Sequence, residues 1–163
     1  MSDPAVLDRA PVEQALASFR EGGRWWARPL VAALESQRPG QSLSWAVACL
    51  RSLLGDISSD RLAALDPDLV RLTRLAEGGA ADPAELLRES EAVWYRPPGR
   101  DLWQTAVARL YAALAYRLRG EGDAFQREVA SALAVAADDE RFTPDHLNRV
   151  TQLFSDSWQH PGS

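Results

Sequence analysis

Residues 101–120 read DLWQTAVARLYAALAYRLRG, and this stretch shows most clearly how the chain folds. Aspartate is favoured at helix N-caps and glycine just past helix ends, so Asp101 and Gly120 are natural boundaries. Between them, large apolar side chains recur every three or four residues: Trp103, Val107, Leu110, Leu114 and Leu118. This spacing matches an α-helix with one buried face. The stretch therefore predicts a long amphipathic helix.

Similar start and stop signals divide the rest of the chain into helices. We predict further helices that begin at or near Pro11, Arg24, Ser42, Ser59, Asp66, Asp82, Asp123 and Thr143. Ser42 is expected to cap a helix that Gly55 ends, and Pro29 either opens or kinks the second helix. Ser59 is expected to cap only a short turn, because Asp66-Pro67 has the pattern of a new helix start.

No segment alternates apolar and polar residues over a strand's length, so no sheet is predicted. Short loops favour antiparallel neighbours. The prediction is one all-α domain over residues 1–163, with about seven helices. They form either stacked antiparallel helical hairpins or an irregular bundle, with loosely ordered tails at 1–10 and 160–163. The similar endings ALASFREGG (15–23) and RLTRLAEGG (71–79) are compatible with a repeat, although helices commonly close on glycine.

The composition is that of a globular protein, with 46% hydrophobic and 25% charged residues. The net charge is −5 and no stretch clusters arginine without acids, which argues against nucleic-acid binding. The longest uncharged run, Pro39 to Leu50, is too short to cross a bilayer, and the first residues lack a signal-peptide layout. We therefore expect a cytoplasmic protein. All 18 basic residues are arginine, which a GC-rich bacterial genome explains most simply.

Residues suited to catalysis or metal binding are few. His146, in the first turn of the last helix, and His160, near the C-terminus, have no partner at metal-ligand spacing. His146 is expected to be exposed. With no lysine a P-loop is impossible, and neither a dinucleotide-binding motif nor a nucleophile elbow is present. The single cysteine, Cys49, lies in an apolar stripe and is expected to be buried. No catalytic residue, metal or cofactor is predicted.

One acidic run, Asp138-Asp139-Glu140, falls where a helix is predicted to end. The helix dipole disfavours negative charge at that end, so the run could mark a cation site or an arginine-binding edge. A loop that simply begins at Asp138 explains it equally well. Glu85 and Glu89 share a helix face with Arg88 and indicate a solvated surface.

Two aromatic segments are candidate contact surfaces. Trp, Tyr and Arg concentrate binding energy at interfaces, and prolines stiffen the loop that follows the first segment. That segment contributes Trp94, Tyr95, Arg96 and Arg100 as candidate partner-binding residues, although Trp94 could instead close the core together with Trp103. The second segment is Trp25-Trp26, of which we expect one ring to be buried and the other to lie near the surface.

Three stretches resemble a family of uncharacterised bacterial all-helical proteins with Trp-containing helical hairpins: LSWAVACL (43–50), LTRLAEGGAADPAE (72–85) and LWQTAVA (102–108). The resemblance extends from about Ala15 to Ala113. Trp45 stands alone where the family has two tryptophans, and the family's S-G-G-S-L-A-P-P motif is missing. The resemblance implies an accessory, non-enzymatic role in a bacterial system, beside secretion or toxin genes.

The leading hypothesis is a non-enzymatic module that binds another protein, as an adaptor or chaperone-like accessory protein. An alternative is an immunity protein whose acidic surface neutralises a basic toxin domain. A further alternative is a carboxylate and metal enzyme that uses Asp138, Asp139 and Glu140. Neither nucleic acid nor a membrane is expected as a partner.

Overall fold

The computed structural model describes residues 9–97 and 101–159, and the regular structure in these two ranges is entirely α-helical. The helices are α1 (Ala10–Arg20), α2 (Arg28–Gln37), α3 (Gln41–Ile57), α4 (Ser59–Ala76), α5 (Pro83–Trp94), α6 (Leu102–Leu118), α7 (Gly122–Ala137) and α8 (Pro144–Gln159). The predicted all-α fold is confirmed, with eight helices in the described ranges where about seven were predicted. The predicted tails lie outside the described residues except at their inner end, where Arg9 is the N-cap residue of α1 and Ala10 is its first residue, so the helix begins inside the predicted tail.

Helix α3 is the centre of the packing, because it contacts α2, α4, α6, α7 and α8. Trp45 on α3 is 1% exposed, and its Nε1 donates to the carbonyl oxygen of Val150 on α8 at 3.3 Å. Its ring meets Phe154 edge to face, with centroids 6.3 Å apart. Cys49 on the same helix is buried as predicted, and burial raises the pKa of its thiol. None of the described helices is both long and apolar enough to cross a membrane.

The helix predicted over residues 101–120 is α6. Asp101 caps it by accepting a hydrogen bond from the Gln104 amide at 2.7 Å. The predicted stripe is buried from Trp103 to Leu114, whereas Leu118 in the last turn is 48% exposed. Asp82 caps α5 in the same way, through the Ala84 amide at 3.1 Å. These two caps confirm that local side-chain chemistry sets the start of α5 and α6.

Three boundaries predicted between residues 55 and 67 are wrong. Helix α3 continues through Gly55 to Ile57, and Ser58, not Ser59, caps α4 through the Arg61 amide at 3.3 Å. Helix α4 does not restart at Pro67, which lies in its interior. A proline there removes one hydrogen bond and strains the helix. Pro67 itself is exposed, but three leucines of α4 are buried in the core: Leu65, Leu69 and Leu72. Their burial outweighs the preference of proline for the start of a helix.

The predicted cap of α3 is also wrong, because a carboxylate from α2 takes its place. Ser42 is fully buried, and Gly40 at φ +88° is the N-cap residue. The Glu35 carboxylate accepts from the amides of Gly40 and Ser42, each at 3.0 Å, and from the Ser42 hydroxyl at 2.8 Å. A Cβ at Gly40 would collide with the Arg117 guanidinium. Glu35 thereby ties α2 to the beginning of α3.

Two further helices begin elsewhere than predicted. Helix α2 begins at Arg28 and not at Arg24, and Pro29 opens it, one of the two roles considered for this proline. Helix α7 begins at Gly122, so that Asp123 lies in its first turn and does not cap it. An acid in the first turn still stabilises the helix through the dipole.

Candidate functional site

The turn from α5 to α6 is held by a buried glutamine of α6. Gln104 is 1% exposed, and its Nε2 donates to the carbonyl oxygens of Val93 at 2.6 Å and Arg96 at 2.9 Å. Its Oε1 accepts from Arg61 Nη2 at 3.4 Å. The last carbonyls of a helix have no partner within the helix. Gln104 bonds the Val93 carbonyl from outside α5, in addition to the Arg96 amide at 3.3 Å, and so fixes the backbone of residues 93–96.

Arg96, predicted as a partner contact, is half-buried and forms an ion pair with a buried carboxylate of α4. Its Nη1 lies 2.7 Å and its Nη2 3.4 Å from the carboxylate of Asp68, which is 7% exposed. Tyr111, itself buried, donates to Asp68 Oδ1 at 2.9 Å. The hydrogen bonds to Asp68 raise the pKa of Arg96, and burial raises the pKa of Tyr111. Both groups therefore remain protonated donors, and the Arg96 charge is matched within the protein.

The other predicted residues of this turn have different positions. Tyr95 is 73% exposed, the highest exposure among the large apolar and aromatic side chains of the described residues. Trp94 is partly buried and packs against the core, as in the simpler of its two interpretations. Arg100 lies outside the described residues. Of the four predicted contacts at this turn, the structure therefore presents Tyr95 to solvent.

The adjacent tryptophans 25 and 26 are divided between core and surface. They lie in the turn that precedes α2 and not on a helix. Trp26 is 3% exposed and packs edge to face on Phe19 with centroids 5.5 Å apart, whereas Trp25 is 47% exposed. Trp25 borders a cleft of about 330 Å³ between α6 and α7, which Tyr116 and Arg127 also line. Trp26 is thus a core residue, and Trp25 is the ring of this pair that a partner could reach.

The acidic run at the end of α7 is not a cluster of carboxylates. One of its three acids is buried and bonded to neighbouring side chains, and the other two are exposed. Asp139 is 9% exposed and accepts from the Trp103 indole at 2.8 Å and from Arg141 at 2.8 Å and 3.0 Å. The hydrogen bonds from Arg141 hold the pKa of this carboxyl well below its usual range. Asp138 and Glu140 are exposed on the border of a cleft of about 620 Å³. No group of three or more His, Cys, Asp or Glu residues converges as metal ligands within residues 9–97 and 101–159.

His146 was expected to be exposed, and this prediction is wrong. It is 6% exposed, and its Nδ1 accepts from the Thr143 amide at 2.9 Å. The proton of the neutral ring is therefore on Nε2, which donates to Asp56 Oδ2 at 2.6 Å and lowers the pKa of that carboxyl. Thr143 and His146 form a reciprocal cap of α8, with histidine in the position usual for glutamate.

The contacts of His146 also decide whether it could serve as the base for a nucleophilic Thr143 hydroxyl. The Thr143 hydroxyl lies 3.1 Å from His146 Nδ1, the distance expected between a nucleophile and a base. The Thr143 amide already donates to that nitrogen, so its lone pair is not available to remove a proton from the hydroxyl. The sequence gives no sign of this arrangement, because Asp56 lies 90 residues from His146.

Comparisons of the chain with protein-family models, with curated protein sequences and with solved structures find no match. The resemblance to a bacterial accessory family stays a prediction. The contacts at the α5–α6 turn and around Trp25 are the observations from which a function can be inferred.

Proposed function

We propose that the protein is a non-enzymatic, protein-binding module of the adaptor or chaperone-like kind, and that the α5–α6 turn is its contact surface. The observation that carries the proposal is Tyr95, an aromatic side chain 73% exposed on a backbone whose neighbouring carbonyls are fixed by Gln104. We also propose that α5 and α6 form an antiparallel helical hairpin. The protein is further proposed to be cytoplasmic and to come from a bacterium.

Two physical properties make this turn suitable for binding. A tyrosine offers a large amphipathic contact area with few rotatable bonds, and such residues are frequent among binding hot spots. The backbone that carries it is ordered in advance by Gln104 and by the Arg96–Asp68 pair. Binding then loses little conformational entropy, which is otherwise a major cost of association.

A capture experiment with matched variants tests the proposal. Immobilised wild-type protein and the Tyr95→Ser, Trp25→Ser and Leu118→Ser variants are incubated with a lysate of the native host. Leu118 is the control, because it is apolar and 48% exposed, yet lies at the other end of α6. We expect one partner retained by the wild type and the Trp25 and Leu118 variants, and lost from the Tyr95 variant.

Binding measurements with the purified partner then give the change in the dissociation constant. Loss of a tyrosine anchor weakens binding by ~2 kcal/mol or more, roughly thirtyfold in the dissociation constant. Equal binding by the Tyr95 and Leu118 variants would remove this turn from the proposal. A loss confined to the Trp25 variant would move the contact to the cleft between α6 and α7.

The alternative role as an immunity protein is favoured by one observation. Asp138 and Glu140 are exposed on the border of the 620 Å³ cleft, and neither forms an ion pair with a described residue. Two exposed carboxylates beside a cleft suit a basic protein partner. In that case the Asp138→Asn, Glu140→Gln double variant should associate more slowly with the captured partner, and the difference should shrink at high salt. Unchanged association rates would exclude this role for the two acids.

A further inference from the structure

We propose that the cleft between α6 and α7, which Trp25 borders, binds a neutral sugar ring. The cleft has a volume of about 330 Å³, at the lower end of the range for small-molecule sites, and this size suits a single ring. None of the residues that line it belongs to the α5–α6 turn, so this inference does not depend on the protein-binding function. Its support is a buried hydroxyl, an ion pair and an exposed aromatic ring.

A buried serine that forms no side-chain hydrogen bond lines the cleft. Ser131 on α7 is 5% exposed, and its Oγ bonds to no described residue, although a serine on a helix can bond the carbonyl four residues earlier. The Oγ atom is not fully buried, and because Ser131 lines the cleft, its open side faces the cleft. A polar group at this depth is unfavourable without a partner, and a ligand hydroxyl in the cleft would supply one.

An ion pair in the same cleft offers a further donor and a further acceptor. Arg109 Nη1 donates to Glu128 Oε2 at 3.2 Å, and both side chains are half-buried. Their other atoms, Arg109 Nη2 and Glu128 Oε1, form no hydrogen bond within the described ranges, and neither is fully buried. Arg127, which also lines the cleft, is paired with Asp123 at 3.3 Å. Because these charges are matched within the protein, the cleft favours a neutral ligand whose hydroxyl groups both donate and accept.

Trp25 adds an aromatic surface to these polar groups. Its ring is 47% exposed, and Tyr116, half-buried and with a hydroxyl that bonds to no described residue, lines the same cleft. The face of an aromatic ring is electronegative and attracts C–H groups, which are weak hydrogen-bond donors. A pyranose ring presents C–H groups on its face and hydroxyl groups at its edge. A sugar therefore matches both the indole ring and the polar groups of the cleft.

Titration of the full chain with sugars tests this inference. The methyl glycosides of glucose, galactose, mannose and N-acetylglucosamine are added, and binding is followed by tryptophan fluorescence and saturation-transfer NMR. We expect at least one of them to bind with a Kd below about 10 mM. Tetrahydropyran-2-methanol, a similar ring with a single hydroxyl, should bind at least roughly tenfold more weakly, because it forms fewer hydrogen bonds. Equal binding of this probe, or no binding of any glycoside at about 50 mM, would overturn the inference.

Two variants connect sugar binding to the cleft, with Leu118→Ser as the control. Trp25→Ala should weaken the tightest glycoside roughly tenfold, whereas Leu118→Ser removes an equally exposed apolar side chain outside the cleft and should leave Kd unchanged. Ser131→Ala should weaken it roughly fivefold and leave Tm unchanged or higher, because the hydroxyl has no bond within the described fold to lose. Full-strength binding by the Trp25 or Ser131 variant would remove the sugar from this cleft. A lower Tm for Ser131→Ala would show that its hydroxyl serves the fold, which also contradicts the inference.

Discussion

Replacement of Asp68 by alanine should destabilise the protein by about 3 kcal/mol. This carboxylate of α4 accepts hydrogen bonds from Arg96, which follows α5, and from Tyr111 on α6. The buried Tyr111 hydroxyl would lose its acceptor, which costs ~1–3 kcal/mol. The paired Arg96 is 38% exposed, so water would replace much of its bond and the loss there would lie near ~1 kcal/mol. Removal of the cost of burying the carboxylate offsets part of the sum.

Urea unfolding followed by circular dichroism measures this difference, with Asp60→Ala as the matched control. Asp60 is exposed in the first turn of the same helix, so its replacement should lower the free energy of unfolding only by the ~0.3–1 kcal/mol that the helix dipole contributes there. Tyr111→Phe in the Asp68→Ala background should cost less than in the wild type, because the hydroxyl has already lost its acceptor. An Asp68→Ala variant as stable as the control would refute the role assigned to this carboxylate.

Three shorter predictions concern other helices. Trp103→Ala should lower the free energy of unfolding by ~3–5 kcal/mol in urea, because the ring is buried and its indole bonds Asp139. Pro67→Ala should raise it by ~1 kcal/mol or more by restoring a hydrogen bond inside α4; a lower midpoint would contradict the observed continuity of that helix. The lowered pKa of Asp139 contributes stability that is present above the unfolded pKa of about 4 and is lost as pH falls below it. The stability difference between the wild type and Asp139→Asn, from urea titrations between about pH 6 and 2, should therefore shrink as acid is added.

The parts of the fold that follow from neighbouring residues could be predicted from the sequence. Asp82 and Asp101 cap their helices, and the apolar stripe of α6 is buried up to Leu114, because caps and periodicity act over a few residues. The helix start predicted at Asp66-Pro67 is wrong because that prediction also used only neighbouring residues. The local signal of Pro67 is that of a helix start, but the burial of α4 against the core decides the outcome.

The contacts of the candidate site could be predicted only in part. The sequence identified the α5–α6 turn as unusual and gave Tyr95 as a candidate. It could not separate Tyr95 from Arg96, because the partner of Arg96 is Asp68, 28 residues earlier in the chain. His146 shows the same limit, since its burial depends on Asp56. Such pairings depend on how distant helices pack, and local patterns do not record them.

The contact between α3 and α8 has a consequence for how the protein is made. Trp45 and Val150 are 105 residues apart, and a ribosome that adds ~5–20 residues per second needs on the order of 5–20 s to synthesise that interval. Throughout it, the side of α3 that α8 will cover is exposed, including the largest apolar side chain of that helix. The nascent chain is therefore most prone to aggregation between the emergence of α3 and that of α8, and a general chaperone that recognises exposed apolar segments would act in this interval.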